Sequence, residues 1–339
     1  MLKYLIITII GLTSIVFGTK ELTYTAIDND DSVSSVLEAL GEDLSDTKPR
    51  LTDKSSAQIG EDIIRNGFSK RDGLKKSRRQ SKHFVCTSCH NLEREDPDLS
   101  ISDPQARLDY VIDNGMPFLQ GTTLYGAVNR TSFYNDDYYK KYGDLIEPAK
   151  NDIREAIQLC AQECAQGREL QDWEIESVLA YLWTIELKID DLNLEASDVA
   201  TLEAALNNPT DQHDAVGLIK SKYLQGSPAT FLTPPEDRTV GTGLPGDVDN
   251  GKKIYDSSCL HCHYQKEYSF LHLDDNKLSF KYLENGASSY SRHSLYQVTR
   301  YGTYSLYGKK SYMPNYTEEK MSNQQLADLR AYIRHRALQ

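Results

Sequence analysis

Four of the six cysteines occur in two copies of one pentapeptide, Cys86–His90 and Cys259–His263. Cys-x-x-Cys-His is the attachment pattern of c-type haem. In that chemistry each thiol forms a thioether with one porphyrin vinyl group, and the histidine is the proximal iron ligand. A single copy could be a redox dithiol beside an incidental histidine, and the pairs lack zinc-ribbon spacing. Two copies therefore predict two covalently bound haem c groups, held by Cys86, Cys89, Cys259 and Cys262, with His90 and His263 on the irons.

The predicted distal ligand of the second site is Met313, which is followed by Pro314. It lies in an irregular loop just before the last helical segment. The proline stiffens this loop, so less entropy is lost on ligation. Met321, His272 and His293 are the alternatives. A His/Met pair raises the haem potential, which suits an electron-transfer centre.

The first site has three candidate distal ligands, ranked in the order Cys160, Met116, Cys164. Met116 repeats the Met-Pro dipeptide of the second site. The two cysteines are left over after haem attachment, and exported proteins usually pair such thiols. On one helix over residues 152–165, however, their Cβ atoms would lie about 5–6 Å apart. A disulfide needs about 3.5–4.5 Å, so we expect two free thiols on one face, one of them able to bind iron as a thiolate.

The N-terminus has the pattern of an export signal. Lys3 is followed by an apolar stretch over residues 4–17 and a small-residue cleavage site at 16–18. About fourteen apolar residues fall short of the roughly 20 that a spanning helix needs. We therefore expect a signal peptide at 1–18, no membrane span after its cleavage, and a periplasmic or possibly cell-surface location.

Composition limits the remaining possibilities. The 339 residues are 39% hydrophobic and 26% charged, as in a soluble globular protein. The net charge of −12 argues against nucleic acid as a partner and would suit a basic patch on a redox protein. Residues 19–58 are acidic and rich in Ser, Asp and Thr, and this composition predicts a flexible segment.

The segments that must position the two sites repeat along the chain. Apolar spacing predicts a closing helix over 171–186 and another over 323–334, and Ala180–Leu182 corresponds to Ala331–Ile333. Gly251 and Tyr255 precede Cys259 at helical spacing. The order predicts a duplication: a first haem domain at 59–189, a helical linker at 190–245 and a second domain at 246–339. Because no strand pattern persists, the predicted fold class is all-α.

Both halves resemble known families. Gly251, Tyr255 and the second pentapeptide are similar to the N-terminal helix of class I cytochrome c. This resemblance implies that the glycine lets the closing helix approach closely and that the tyrosine ring fills the crossing. Cys160, Cys164, Gly167, Leu170 and the following Ala180-Tyr181 resemble the first domain of dihaem thiosulfate dehydrogenases and of the dihaem cytochrome subunit of the sulfur-oxidation complex. The resemblance implies two tandem cytochrome c-type domains with long irregular loops around covalent haem. It also implies Cys160 as the distal ligand of an active-site haem.

The first half departs from this family at three positions. Glu163 and Cys164 stand where the family has a basic residue and a serine, and the family has an arginine near Ala156. These differences remove positive charge that would bind a sulfur anion. Arg154 and Arg168 are the candidates to replace it.

Two functions follow from these patterns. The first is an exported dihaem cytochrome that carries electrons between redox protein partners. The second is an oxidoreductase resembling thiosulfate dehydrogenase or tetrathionate reductase, with Cys160 as the catalytic residue and thiosulfate or another small sulfur anion as the substrate. A peroxidase would need a pentacoordinate haem, and the many candidate ligands argue against one. A structural role with haem as a scaffold is the remaining alternative.

Overall fold

A computed structural model of the chain describes residues 26–52, 54–70, 77–264, 268–303 and 310–339. Regular structure in these ranges is helical, and their β pairing is limited to the isolated bridges Ser32–Lys188 and Ser132–Gly226. The all-α prediction is therefore confirmed. The predicted signal peptide lies outside the described ranges. None of the helices in them has both the length and the apolar character needed to cross a bilayer.

The α-helices of the first half are α1 (Val33–Ala39), α2 (Lys54–Asn66), α3 (Pro104–Asp113), α4 (Tyr139–Tyr142), α5 (Ile153–Leu159), α6 (Asp172–Leu182), α7 (Ala196–Leu206) and α8 (Gln212–Ser221). Those of the second half are α9 (Val248–Ile254), α10 (Leu260–His263), α11 (Lys277–Ala287), α12 (Leu295–Tyr301) and α13 (Asn323–Leu338). Single π-helical turns extend two of them: Cys160–Cys164 continues α5, and Tyr255–Cys259 joins α9 to α10.

Side-chain caps explain where several helices begin. Asp103, Asp152 and Asp247 each accept two backbone N–H groups at the start of α3, α5 and α9. Ser294 and Ser322 do the same with one N–H group for α12 and α13. These groups have no partner within the helix, so a side-chain acceptor stabilises the first turn.

The same helix crossing is present in both halves. α2 crosses α6 at Gly60, where a Cβ would overlap the backbone of α6 and touch Tyr181. α9 crosses α13 at Gly251, where a Cβ would overlap the backbone of α13 and touch Tyr332. The two tyrosines belong to the tripeptides whose correspondence indicated a duplication. The close approach predicted for Gly251 is confirmed, and the first half has an equivalent that the sequence analysis did not identify.

The predicted flexible segment at 19–58 is wrong from residue 26 onward. Val33, Val36, Leu37 and Leu40 are buried in a core formed with the linker helices α7 and α8. Their spacing of three and four residues is an amphipathic stripe, which the acidic composition of the surrounding segment concealed. The backbone N–H of Val33 donates to Leu187 O at 2.8 Å, so this segment is attached to the end of the first half.

The predicted domain boundaries do not separate the hydrophobic cores. Leu108 and Val111 on α3, with the following Phe118, are buried in the core of the second half. Asp109 on α3 also pairs with Lys253 on α9 at 2.8 Å. The two halves therefore form one continuous packing unit.

A buried charge cluster joins the halves at this interface. Glu95 is fully buried, and its carboxylate pairs with Arg107 at 3.0 Å and with Lys320 of the second half at 3.1 Å. Burial alone would raise the pKa of Glu95, but the two cations hold it well below its usual range. Removing one partner of such a cluster leaves an uncompensated charge in the interior, so each member depends on the others.

Candidate haem sites

Each pentapeptide lines a large cavity. The first cavity has a volume of about 230 Å³ and is lined by Cys86, Cys89 and His90. The second cavity, of about 580 Å³, is lined by Cys259, Cys262 and His263. Both walls are mainly apolar, as expected of a cofactor site.

In the second half the pentapeptide follows directly from a helix. α9 passes through the π-turn Tyr255–Cys259 into α10, so the two cysteines are presented from one continuous helical segment. Tyr255 is fully buried, with its ring centroid 5.0 Å from that of Phe280 and 5.7 Å from that of Tyr332. The aromatic role predicted for Tyr255 at the helix crossing is confirmed.

Both histidines have the same hydrogen bond. Nδ1 of His263 lies 3.0 Å from Leu271 O, and Nδ1 of His90 lies 2.6 Å from Thr122 O. A carbonyl oxygen can only accept, so Nδ1 carries the proton and Nε2 keeps a free lone pair. Burial lowers the pKa of both imidazoles. Each ring is therefore a neutral, oriented ligand, which is the arrangement that metal-binding histidines use.

The loop that carries Met313 is fixed in place. Met313 N donates to Thr303 Oγ1 at 2.7 Å, and Thr303 N donates to Met313 O at 2.9 Å. Gly302 has φ +69°, and a Cβ there would overlap Met313 O, so this close approach requires glycine. Met313 lines the second cavity, and so do the alternatives Met321 and His293.

His272, the last alternative, lies elsewhere. It is not part of the cavity wall, and its Nε2 faces Asp274 at 3.7 Å on the surface. Met321 is buried in the core of the second half. The structure therefore places Met313 in the cavity on a fixed loop, and its role as distal ligand stays a prediction.

The first pentapeptide is held by surrounding loops. It begins with the 3₁₀ turn Cys86–Ser88, where Ser88 Oγ accepts the N–H of Val85 at 3.0 Å. Gly121 packs against the ring of His90 so closely that a Cβ would overlap it, and Gly121 N donates to Cys89 O at 2.9 Å. This tight packing fixes the orientation of His90.

The candidate distal ligands of the first site separate in space. Cys160 and Cys164, both on the π-turn that follows α5, line the first cavity with His90. Met116 does not line it and packs against the core of the second half instead. All six cysteines lie in the described ranges, and no two of them form a disulfide. Of the three predicted ligands, the structure thus brings the two cysteines, but not Met116, together with the first pentapeptide.

Hydrogen bonds distinguish the two thiols. The hydroxyl of Tyr142 lies 3.2 Å from Cys164 Sγ, and that of Tyr134 lies 4.0 Å from it. The hydrogen bond between the two thiols, together with Tyr142 and Lys141, lowers the pKa of Cys164 to about 6. The same hydrogen bond raises the pKa of Cys160. In the metal-free pair the negative charge therefore belongs to Cys164, although Cys160 ranked first. A metal deprotonates a coordinating thiol outright, so both can serve as ligands.

Lys141 is a residue of this cavity that the sequence analysis missed. Its ammonium group is enclosed by the rings of Tyr142 and Tyr312, at 5.4 Å and 5.7 Å, and donates to Asn315 Oδ1. It forms no ion pair within the described ranges. The four-residue spacing of Tyr134, Tyr138 and Tyr142, a helical stripe of aromatics, is the signal that could have identified this segment.

The two arginines expected to supply positive charge to the first cavity form ion pairs outside it. Arg154 Nε pairs with Glu176 at 2.7 Å, and Arg168 pairs with Glu174 at 2.6 Å. Neither lines the first cavity. The expectation that they compensate for Glu163 and Cys164 is therefore wrong.

Residues 248–337 match the family model of cytochrome c. The match contains the second pentapeptide, Met313 and the crossing of α9 with α13, and it supports a class I cytochrome c domain in the second half. A domain of this family implies covalently bound haem c, electron transfer and redox protein partners. The first pentapeptide lies outside the match. Neither the search of curated proteins nor that of solved structures found a match.

Haem fits the residues that this domain supplies. The cavity is mainly apolar, two thiols and a neutral histidine line it, and a thioether is held on a rigid loop. Ser258, next to Cys259, hydrogen-bonds the buried hydroxyl of Tyr316, so the attachment segment is tied to the distal side. These donors are the set that haem c requires.

Proposed function

We propose that the chain is an exported dihaem c-type cytochrome that carries electrons between redox partners. The observation that carries the proposal is the shared arrangement of His90 and His263, each of which donates Nδ1–H to a backbone carbonyl inside a cavity lined by its own cysteine pair. The repeated crossings at Gly60 and Gly251 also support it. When bound, haem supplies a one-electron centre at its iron. The protein orients the histidines, provides the thiols and excludes water.

The second cavity opens beside an exposed apolar patch that suits a redox partner. Phe270 and Tyr282 line this cavity, yet they are 94% and 55% exposed. Residues 248–337 contain 13 Lys and Arg against 9 Asp and Glu, a net charge of +4. Because the chain carries −12 in total, the remaining residues carry −16. The negative charge that suggested a basic partner thus lies outside this domain, and an acidic redox protein suits the mouth of the second cavity.

Haem counting tests the proposal. The mature protein should show the mass increase of two haems and lose the signal peptide at 1–18 when expressed with export. Replacing Cys86 and Cys89 by Ala should remove one haem, and replacing Cys259 and Cys262 should remove the other. A mass increase of only one haem, lost when the second pair is replaced and kept when the first pair is replaced, would contradict a dihaem protein, and so would a first pair joined as a disulfide.

A second candidate function is oxidation of a small sulfur anion in the first cavity. Cys160, Cys164 and Lys141 line one cavity, and Lys141 has no ion-pair partner among the described residues, so the cavity combines sulfur ligands with a positive charge. In this reaction two thiosulfate ions lose one electron each and join through a new S–S bond to form tetrathionate. The two sites receive the two electrons, and the reverse reaction consumes them.

Turnover with thiosulfate and ferricyanide tests this candidate. The enzyme should reduce ferricyanide only when thiosulfate is present, and Cys160→Ala should abolish the activity. A matched control is Met116→Ala, because Met116 lies outside the cavity. Absence of turnover at several pH values would leave electron transfer as the function.

A further inference from the structure

The two cavities share a wall. Five residues line both: Phe84, Cys89, Gln120, Tyr312 and Pro314. The first three come from the first half of the chain and the last two from the second. The sites therefore lie on opposite sides of a single layer of side chains and are not isolated in separate domains.

An aromatic pair forms the centre of this wall. The ring centroids of Phe84 and Tyr312 are 5.7 Å apart, with an interplanar angle of 85°. This edge-to-face arrangement is the favourable geometry for two aromatic rings. Phe84 is two residues before Cys86, and Tyr312 immediately precedes Met313. Each ring is thus attached to the segment that holds one site while it faces the other.

Tyr312 also connects the distal sides of the two sites. Its hydroxyl lies near that of Tyr142, which in turn lies 3.2 Å from Cys164 Sγ. A chain of contacts therefore leads from a thiol of the first cavity to the residue next to Met313 in the second.

The wall is held in a fixed position by the interface around it. Phe118 N donates to Ser257 O at 3.0 Å, two residues before Cys259. The buried pair of Glu95 with Lys320 fixes the same interface from the proximal side of the first cavity. Relative movement of the halves would break both contacts, so the distance across the wall is set by the fold.

We propose that Phe84 and Tyr312 form the contact through which the two sites exchange electrons directly. In this step one electron leaves the first site, which is oxidised, and reduces the second site. No bond forms or breaks, and no proton is transferred. The inference rests on the proposed dihaem function. An electron that enters at one site can therefore leave from the other, and Tyr312 is the positioning residue between the two sites.

The test measures how fast an electron redistributes between the two sites after rapid photochemical reduction of the diferric protein. Phe84→Leu and Tyr312→Leu remove one ring each, and each should slow redistribution about tenfold, the effect of about 1.4 kcal/mol on the barrier. Tyr312→Phe keeps the ring and should retain the rate. It should still shift the midpoint potential of the second site, because the polar hydroxyl next to Met313 is lost.

The matched control is Phe118→Leu. Phe118 is a fully buried ring at the same interface, yet it lines neither cavity. The rate of electron redistribution in Phe118→Leu should equal that of the unaltered protein. EPR of the diferric protein provides a second measurement, since magnetic interaction between the irons should broaden both signals. Two haems per chain with unchanged rates in Phe84→Leu and Tyr312→Leu would overturn this inference alone, whereas one haem per chain would overturn the dihaem function as well.

Discussion

The two halves use one proximal arrangement and two different distal ones. On the proximal side, Gly60 and Gly251 allow equivalent helix crossings, and His90 and His263 each donate to a carbonyl. On the distal side, the first half presents two thiols from a π-turn, whereas the second presents Met313 from a loop. In the proposed dihaem protein, attachment chemistry leaves the proximal side little freedom. The distal side is where the two sites can acquire different potentials and different access for small molecules.

The approach to the pentapeptide differs as well. In the second half α9 leads through a single turn into Cys259, but in the first half nineteen residues separate the end of α2 from Cys86. Within this connection Gln80 Nε2 donates to Ala161 O at 2.6 Å, next to Cys160. The longer connection therefore supports the cysteine-bearing turn, which has no counterpart in the second half.

Replacing the distal ligands should give the largest effects. Met313→Ala removes the thioether and should lower the second-site potential by about 0.1 V, a fraction of the roughly 0.8 V that axial ligands span. Cys160→Ala should change the low-spin EPR signal of the first site only. Met116→Ala is the control and should change neither. If Met116→Ala alone altered the first-site signal, the contrast between the two distal sides would be wrong.

Removing the central carboxylate of the interface should be nearly as severe. Glu95→Gln leaves Arg107 and Lys320 buried without a counter-charge and should lower the free energy of unfolding by about 3–5 kcal/mol. Denaturant unfolding measures it. Because the folded-state pKa of Glu95 is lowered from 4.5, its stabilisation is complete above about pH 4.5 and is lost progressively at lower pH.

The Glu95→Gln variant also tests this pH dependence. Between pH 7 and pH 3 the difference in stability between Glu95→Gln and the unaltered protein should shrink. A difference that stays constant over that range would show that the pKa of Glu95 is not lowered in the folded protein.

Replacing the crossing glycine should destabilise the protein by a similar amount in the two halves. Gly60→Ala and Gly251→Ala each force a Cβ into a backbone carbonyl, and overpacking of this kind costs about 1–3 kcal/mol. Gly217→Ala on α8 is the control, because its Cβ would meet open space and alanine favours the helix. Thermal unfolding compares the three. A loss of stability in only one crossing variant would mean that the halves are not equivalent.

Lys141 should give the smallest effect. Its charge lowers the pKa of Cys164, after the larger contributions of Cys160 and Tyr142. Lys141→Met should therefore move any pH-dependent change in the first-site EPR signal to higher pH. Lys140→Met is the matched control, since Lys140 is exposed and pairs with Asp137 at 2.8 Å. Equal shifts in both variants would indicate a general charge effect.

Local patterns explain which features were predictable. The pentapeptides, the closing helices and the roles of Gly251 and Tyr255 depend on spacings of at most a few residues, and the structure has the helices where these spacings placed them. The burial of α1 was missed because its partners, α7 and α8, are more than 150 residues away. A short apolar stripe in an acidic segment can be recognised as buried only when the helices that pack against it are known.

The sequence by itself predicted the attachment chemistry, because that prediction needs only two thiols and a histidine within five residues. It also determined the helical class, through the period of its apolar residues. Only the tertiary structure decided that Met116 lies away from the first cavity, that Lys141 lies within it, and that Phe84 meets Tyr312. These contacts join segments that are far apart in the chain. Their packing depends on all the residues of the interface between the two halves, and no local pattern contains that information.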